Sequence, residues 1–316
     1  NTKNGKTYVS RAASVFGTVY GLIENVHVTD IDIVAYDYAA GLACFVANSG
    51  EVRDCSVTNL TISYNDPDDM NADSFIGGVV ARLADARVTH CYAQNIDITV
   101  DETKSTYGIG GVVGYASNSV VDTAYAEGEI VSRAQKVGGV IGHYYCTAEA
   151  VACTKNMYAK VDIICYTDVA GGLIGQTNIT QERVSPTNNF TGLALGNVYL
   201  ANLDSVNASQ TVGVNLGKNA TFYGTEEQLI NGIAGVGYEG KEESVRGLLS
   251  YDDLMNDAAN SYYNVIGFEK VYSMEGTQNG YLPKMYYTDK SKGLLPNQTD
   301  IALDELKDVD IEVTNV

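Results

Sequence analysis

The chain has 316 residues, 45% of which are apolar, and its 39 acidic and 20 basic side chains give a formal charge of −19. This composition can fill a hydrophobic core, so bulk disorder is excluded, and it lacks the basic surplus that nucleic-acid binding requires. No apolar run reaches the roughly 18 residues of a membrane-spanning helix. We therefore expect neither a nucleic-acid partner nor membrane insertion.

A short glycine phrase recurs between residues 40 and 174. Two small residues, usually Gly-Gly, precede two aliphatic or small residues at 40–43, 77–80, 110–113, 138–141 and 171–174. The second residue of each phrase lies 37, 33, 28 and 33 positions after its predecessor. Recurrence at about 30 residues is typical of repeat proteins, in which each unit packs only against its neighbours.

A second phrase, following each copy of the first, has the periodicity of β-strands. Apolar side chains alternate in it, with a bend between two pairs, as in Cys91/Ala93 and Ile96/Ile98. Each repeat therefore predicts three short strands separated by corners, and stacked repeats would pair strand to strand around a continuous core. We predict an all-β fold, a parallel β-helix of six to seven coils.

Stacking would align equivalent residues in columns along the solenoid. The inward column predicted from the alignment contains Val26, Cys55, Cys91, Ala124 and Met157. The adjacent outward column contains His27, Ser56, Tyr92, Tyr125 and Tyr158. A third, polar column contains Asn25, Asp54, His90, Thr123 and Asn156. We expect it at a corner, because short polar side chains form hydrogen bonds with the local backbone of turns.

The repeat phrases end near residue 214, and we divide the chain there. We assign residues 1–214 to the β-helix, 215–300 to a small mixed α/β capping region, and 301–316 to a tail or a linker to a following domain. The cap would contain short helices at 225–230 and 250–259 and strands at 262–268 and 271–273. Because a solenoid has an open strand edge at each end, we expect this region to cover one edge.

The best copies of the two phrases resemble the GLUG repeat of bacterial cell-surface proteins. Residues 138–142 read Gly-Gly-Val-Ile-Gly, and residues 124–130 read Ala-Tyr-Ala-Glu-Gly-Glu-Ile. Similar repeats form the non-catalytic N-terminal β-helical region of Gram-positive zinc metallopeptidases of the immunoglobulin-A-protease type. The resemblance covers about residues 16–205 and implies an extracellular, cell-surface or secreted setting, with no catalytic residues in this segment. The chain begins without an apolar signal-peptide core, and we interpret it as part of a larger protein.

The sequence contains no recognisable catalytic motif, and we name no catalytic residue. A zinc-peptidase signature needs His-Glu-x-x-His, whereas none of His27, His90 and His143 is followed by Glu. An acidic column provides the alternative: Asp32, Asp97, Glu129 and Asp162, interrupted by Thr61, would lie on one outward face. Paired carboxylates can hydrolyse glycosides, but like charges on a flat face also discourage association between sheets.

Two further groups of residues suggest a disulfide and a metal site. Cys146 and Cys153 flank an insertion and could pair across it. Asp66, Asp68, Asp69 and Asp73 lie in one loop, which would suit calcium or would form a solvated acidic surface. Calcium is the only cofactor that the sequence suggests.

These observations predict a non-catalytic, monomeric, surface-exposed β-helix that acts as an adhesin, a spacer or a recognition module. Its ligand would be a host protein or a glycan, bound by the outward residues Tyr92, Tyr125 and Tyr158 or by the insertion loops. The alternatives are a carbohydrate-active β-helix enzyme and an exosite domain of a zinc metallopeptidase whose catalytic part lies elsewhere.

Overall fold

The structure is a computed structural model of the chain. It describes residues 2–3, 6–7, 10–64, 74–101, 108–146, 154–166, 170–179, 190–194, 198–200, 220–225, 245–249, 268–277 and 280–302.

The described residues form almost only β-strands. The first strands are β1 (Thr2–Lys3), β2 (Lys6–Thr7), β3 (Ser10–Ala13), β4 (Phe16–Val19) and β5 (Leu22–Glu24). The repeats contain β6 (His27–Ala40), β7 (Ala43–Ala47), β8 (Glu51–Tyr64), β9 (Phe75–Gly77), β10 (Val80–Ala84), β11 (Arg87–Val100), β12 (Gly108–Gly110), β13 (Val113–Ser117), β14 (Val120–Ser132), β15 (Val137–Gly138), β16 (Ile141–Cys146), β17 (Thr154–Cys165), β18 (Ala170–Gly171) and β19 (Ile174–Ile179). The later strands are β20 (Phe190–Ala194), β21 (Val198–Leu200), β22 (Ala220–Thr225), β23 (Val245–Leu249), β24 (Tyr272–Ser273) and β25 (Lys284–Met285), with 3₁₀ helices at Phe268–Lys270 and Lys290–Lys292.

The repeats wind into the predicted parallel β-solenoid. Each turn contains one long bent strand, one short glycine strand and one strand of a second sheet. The long strands β6, β8, β11, β14 and β17 pair in parallel, and the second sheet has the order β19-β16-β13-β10-β7-β4. About four complete turns separate β6 from β17, fewer than the six to seven coils predicted, because the alignment counted partial copies at both ends as coils.

Left-handed backbone turns each long strand at its corners. The polar column lies at the first corner, and all five of its members have φ between 49° and 58°. In β6, β8 and β11 a second left-handed residue, Asp30, Asn59 or Asn95, bends the strand five positions later. Asn and Asp adopt this conformation more readily than other non-glycine residues, which explains why short polar side chains mark the corners.

The inward column is confirmed. Cys91 lies opposite Cys55 and Ala124 in the parallel register, and Ala124 lies opposite Met157. These four side chains are fully buried in the main hydrophobic core, and Val26 packs against it from the first turn.

Close approach between turns explains the glycine phrase. A Cβ on the second glycine of a phrase would lie 2.0 Å from Gly111 O if built on Gly78, and 2.1 Å from Gly172 O if built on Gly139. Real Cβ atoms cannot approach a carbonyl oxygen so closely, so successive turns can stack here only where the residue is glycine.

The region after the repeats differs from the predicted cap. The strands β22 and β23 extend the solenoid sheet in parallel beyond β20, and Thr225, the first residue of the predicted capping box, ends β22. The rest of that helix, the predicted helix at 250–259 and residues 262–267 of a predicted strand lie outside the described residues. β24 falls within the strand predicted at 271–273. Residues 268–277 and 280–302, here called the strap, lie against the outer face of the long strands rather than across an open edge.

No helix in the described part of the chain has the length and apolar character needed to cross a membrane.

Candidate functional site

The outward column predicted from the sequence forms a stack of three tyrosine rings. Tyr92, Tyr125 and Tyr158 lie opposite one another in β11, β14 and β17, and we call them the tyrosine ladder. The ring centroids of Tyr92 and Tyr125 are 4.8 Å apart and those of Tyr125 and Tyr158 are 4.5 Å apart, with interplanar angles of 6° and 5°. The rise between parallel strands therefore sets the ring spacing.

The tyrosine ladder points away from the solenoid core but is buried. Its side chains are at most 1% exposed and form a second hydrophobic cluster with residues of the strap: Phe268, Tyr272, Leu282, Met285, Leu295 and Ile301. The surface that these tyrosines would offer to a ligand is thus covered by the chain's own C-terminal strap.

Each hydroxyl of the tyrosine ladder donates a hydrogen bond to the strap. Tyr92 Oη donates to Pro296 O, Tyr125 Oη to Gln298 Oε1 at 3.1 Å, and Tyr158 Oη to Pro283 O at 2.7 Å. The two proline acceptors belong to two Leu-Pro pairs, at 282–283 and 295–296, whose leucines are buried against the ladder. The repeated Leu-Pro pair is the sequence signal that could have revealed this contact.

Further contacts extend the strap across all five long strands. Tyr287 Oη donates to Asn25 Oδ1 at 3.0 Å beside the start of β6, where it also lies near His27. The amide and hydroxyl of Thr288 donate to Asp54 Oδ1 of β8 at 2.7 and 2.8 Å.

Two more hydrogen bonds connect the strap to β11, in the middle of the series of long strands, and to β17, at its end. Gln94 Nε2 in β11 donates to Thr299 Oγ1 at 2.7 Å, and Lys160 Nζ in β17 donates to Ala302 O at 2.6 Å. Together with the ladder contacts, these bonds connect successive turns to one another through a segment that runs along the solenoid axis.

Burial keeps the hydroxyls of Tyr92 and Tyr125 in the ladder, and of Tyr272 in the strap, protonated. It raises the pKa of Tyr92 to about 12, and it also raises the pKa values of Tyr125 and Tyr272. A phenol that is buried in a low-dielectric environment resists ionisation because the phenolate would lose its hydration. The hydroxyls consequently remain donors at neutral pH.

The predicted acidic column is also present. It lies on the exposed part of the same strands that follows the second corner, here called the far arm. Asp97 lies opposite Thr61 and Glu129, and Glu129 lies opposite Asp162. Partial burial, followed by the charges of Asp97 and Asp162, raises the pKa of the Glu129 carboxyl. A carboxyl with a raised pKa beside other carboxylates could act as a general acid, although this arrangement also arises simply from stacking acidic residues.

The three histidines lie in three different columns. His27 belongs to the outward column and bonds Ser56 Oγ at 2.9 Å and Asn25 Oδ1 at 3.0 Å. His90 lies in the corner column, and His143 lies in the second sheet, between Tyr115 and Gln176 in the register. Burial lowers the pKa values of His27 and His90. The histidines therefore do not converge on one centre.

The predicted calcium ligands Asp66, Asp68, Asp69 and Asp73 lie outside the described residues, as does Cys153 of the predicted disulfide. Cys146 is buried at the end of β16. Among the residues that the structure describes, no three His, Cys, Asp or Glu side chains are grouped so that they could hold a metal ion.

Compared with protein-family models, curated proteins and solved structures, the chain has no match. The resemblance to GLUG repeats accordingly stays a prediction.

Proposed function

We propose that the chain is a non-catalytic β-solenoid module of a larger bacterial cell-surface or secreted protein, in which it acts as a rigid spacer and presents a recognition surface. The observation that carries this proposal is the strap, which bonds to Asn25 just before β6 and to each of the four following long strands as far as Lys160 in β17. A solenoid unravels most easily at its ends, because each turn contacts only its neighbours. A segment that connects the turns lengthwise opposes such unravelling and suits a module that holds a binding surface away from its attachment point.

The surface setting is supported by the composition of the chain. The formal charge of −19 keeps a protein soluble and discourages association between exposed strands. A signal peptide or a cell-wall sorting signal in the sequence flanking this segment would agree with the proposal, whereas a cytoplasmic fusion partner would contradict it.

The acidic column favours a second candidate, a carbohydrate-active enzyme. Its specific support is the raised pKa of Glu129 next to Asp97 and Asp162. Neighbouring strands are about 4.8 Å apart, and carboxyl groups about 5–5.5 Å apart serve retaining glycosidases. We favour the first candidate because these acids recur at the same strand position in four of the five long strands rather than gathering around one cleft.

One experiment separates the two candidates. The chain is incubated with neutral and acidic polysaccharides and with soluble extracellular-matrix proteins, and both binding and product formation are measured. We expect saturable binding to at least one member of the panel without any product. Turnover that is abolished by Glu129→Gln or Asp97→Asn would overturn the proposal in favour of the enzyme, and absence of any binding would leave only the spacer role.

A further inference from the structure

A polar groove lies where the strap passes the second corner of the first three long strands. It has a volume of about 280 Å³ and is open to solvent. Its lining contains Thr29, Asp30, Thr58, Asn59, Gln94, Asn95, Asn297 and Thr299. The first six come from successive turns of the solenoid, and the last two come from the strap.

The floor of the groove is a ladder of corner side chains. Asn59 Nδ2 donates to Asp30 Oδ1 at 2.8 Å, and Asn95 Nδ2 donates to Asn59 Oδ1 at 2.8 Å. All three residues have left-handed backbone, with φ between 54° and 57°. The backbone N–H of Asn95 donates in turn to Glu127 Oε2 at 2.8 Å, which anchors this end of the ladder to β14. The amides are therefore held in place before any ligand arrives.

The strap wall is fixed by a reciprocal amide contact. Gln94 Nε2 donates to Thr299 Oγ1 at 2.7 Å, while the backbone N–H of Thr299 donates to Gln94 Oε1 at 3.1 Å. Gln94 is 2% exposed, so its side chain bonds the strap and does not face the ligand. The exposed Asn297 stands beside it on left-handed backbone, with φ of 64°.

The chemistry of the lining points to a neutral, hydroxyl-rich ligand. Every lining side chain ends in a hydroxyl, an amide or a carboxylate, and Asp30 is the only charged member of the set. An asparagine amide offers two N–H donors and about two acceptor positions, and the ladder uses one of each on Asn59. The remaining donor and acceptor match a sugar hydroxyl, which both donates and accepts. A docked peptide would instead need pockets lined by apolar side chains, whereas no lining residue of this groove has a wholly apolar side chain.

We infer that this groove binds a neutral oligosaccharide that lies along the solenoid axis. The inference rests on the proposed recognition role and names its ligand class. Successive turns present equivalent side chains at a rise of about 4.8 Å, comparable with the length of one sugar unit, so consecutive sugars would meet equivalent donors and acceptors. The strap thus has a second role, because Asn297 and Thr299 complete the site.

Calorimetric titration of the whole chain with neutral linear hexasaccharides of glucose, mannose and xylose tests the inference. Asn59→Gly removes one amide from the floor and Asn297→Gly removes one from the strap wall, and glycine tolerates the left-handed backbone at both positions. Asn48→Gly is the matched control, since Asn48 is exposed, has φ of 51° and lies at a different corner. Thermal unfolding of the three variants verifies that the fold is retained, and Asn297→Gly leaves the solenoid itself unaltered.

We expect at least one hexasaccharide to bind, with a tenfold or greater loss of affinity in both groove variants and no change in Asn48→Gly. Binding that neither groove variant weakens would overturn the inference while leaving the recognition role intact. The inference is also overturned if none of the three hexasaccharides binds. Cleavage of the sugar would instead contradict the non-catalytic function.

Discussion

Each long strand has a near arm before its second corner and a far arm after it, and the two arms have the same parallel pairing but opposite surroundings. On the near arm, Tyr92, Tyr125 and Tyr158 stack outward and are buried by the strap. On the far arm, Asp97 and Glu129 also point outward, five and four positions after Tyr92 and Tyr125, and are exposed to solvent. Side chains on both arms repeat at the strand spacing, so the architecture alone does not decide which face is covered.

The difference lies in what repetition does to each side-chain type. Stacked tyrosine rings are stabilised by their contact with one another and form an apolar surface. Their hydroxyls form a regular row of hydrogen-bond donors, which the carbonyl groups of an extended segment can accept. Stacked carboxylates repel one another and resist the loss of water. A repeated tyrosine therefore favours a covering segment, whereas a repeated acid keeps a face open.

Truncating the middle of the tyrosine ladder gives the largest expected effect. Tyr125→Ala removes a fully buried ring together with its bond to Gln298, and we expect the free energy of unfolding to fall by the roughly 3–5 kcal/mol that such aromatic truncations cost. The strap should open first. Hydrogen exchange at the amides of Leu282 and Leu295, which bond Ile301 O and Met285 O, should accelerate more than exchange in β11 and β14.

The matched control lies on the open arm of the neighbouring strand. Asp97→Ala removes an exposed side chain from β11 and should change stability by no more than about 0.5 kcal/mol. Equal losses in Tyr125→Ala and Asp97→Ala, or unchanged exchange in the strap, would contradict the view that the ladder holds the strap in place.

Alkaline pH should weaken the contact between the tyrosine ladder and the strap without any mutation. Because the pKa of Tyr92 is raised in the folded chain, the folded state retains its proton longer than the unfolded state, and stability falls as pH rises. The loss begins near the ordinary tyrosine pKa of about 10 and levels off above about 12, and it amounts to about 2–3 kcal/mol for Tyr92 alone. Burial of Tyr125 and Tyr272 adds to it in the same direction.

Unfolding in urea at several pH values between 9 and 12, together with the ultraviolet absorbance of tyrosinate, measures this effect. Tyr92→Phe is the control, since phenylalanine fills the same space but cannot ionise. Its stability should decline less steeply with pH than that of the unchanged chain, and identical slopes would show that Tyr92 ionises without affecting the strap.

The solenoid itself was predictable because its rules are local and repeated. The glycine phrase indicates where successive turns approach closely, and the alternation of apolar residues around Cys91 and Ile96 indicates which side chains point inward. Both signals recur often enough to be aligned, and the inward column was predicted correctly from them. The number of turns was overestimated because partial copies resemble complete ones.

The covering of the tyrosine ladder could not be predicted in the same way. Tyr92 and Pro296 are separated by 204 positions, and Asn25 and Tyr287 by 262. Neither partner in the strap belongs to the solenoid repeat, so no periodicity connects it to the solenoid, and the repeated Leu-Pro pair marks the strap without indicating which face it covers. The sequence indicated that these tyrosines point outward, which is correct, but outward orientation predicts exposure only where nothing else covers the face.

Neutralising one acid in the open column gives the smallest expected effect, and it has the opposite sign. The raised pKa of Glu129 means that its charged form is disfavoured in the folded chain, so the charge reduces stability at neutral pH and the reduction disappears on acidification. We expect Glu129→Gln to increase the free energy of unfolding by about 0.2–1 kcal/mol, the usual magnitude for relieving like charges on neighbouring strands.

Glu127→Gln is the matched control two residues away, where Oε2 accepts the Asn95 N–H, and there the loss of a charge-assisted hydrogen bond should lower stability by about 1 kcal/mol. If both variants were destabilising, the acidic column would be a favourable arrangement, and the contrast between the covered and the open arm would need another cause.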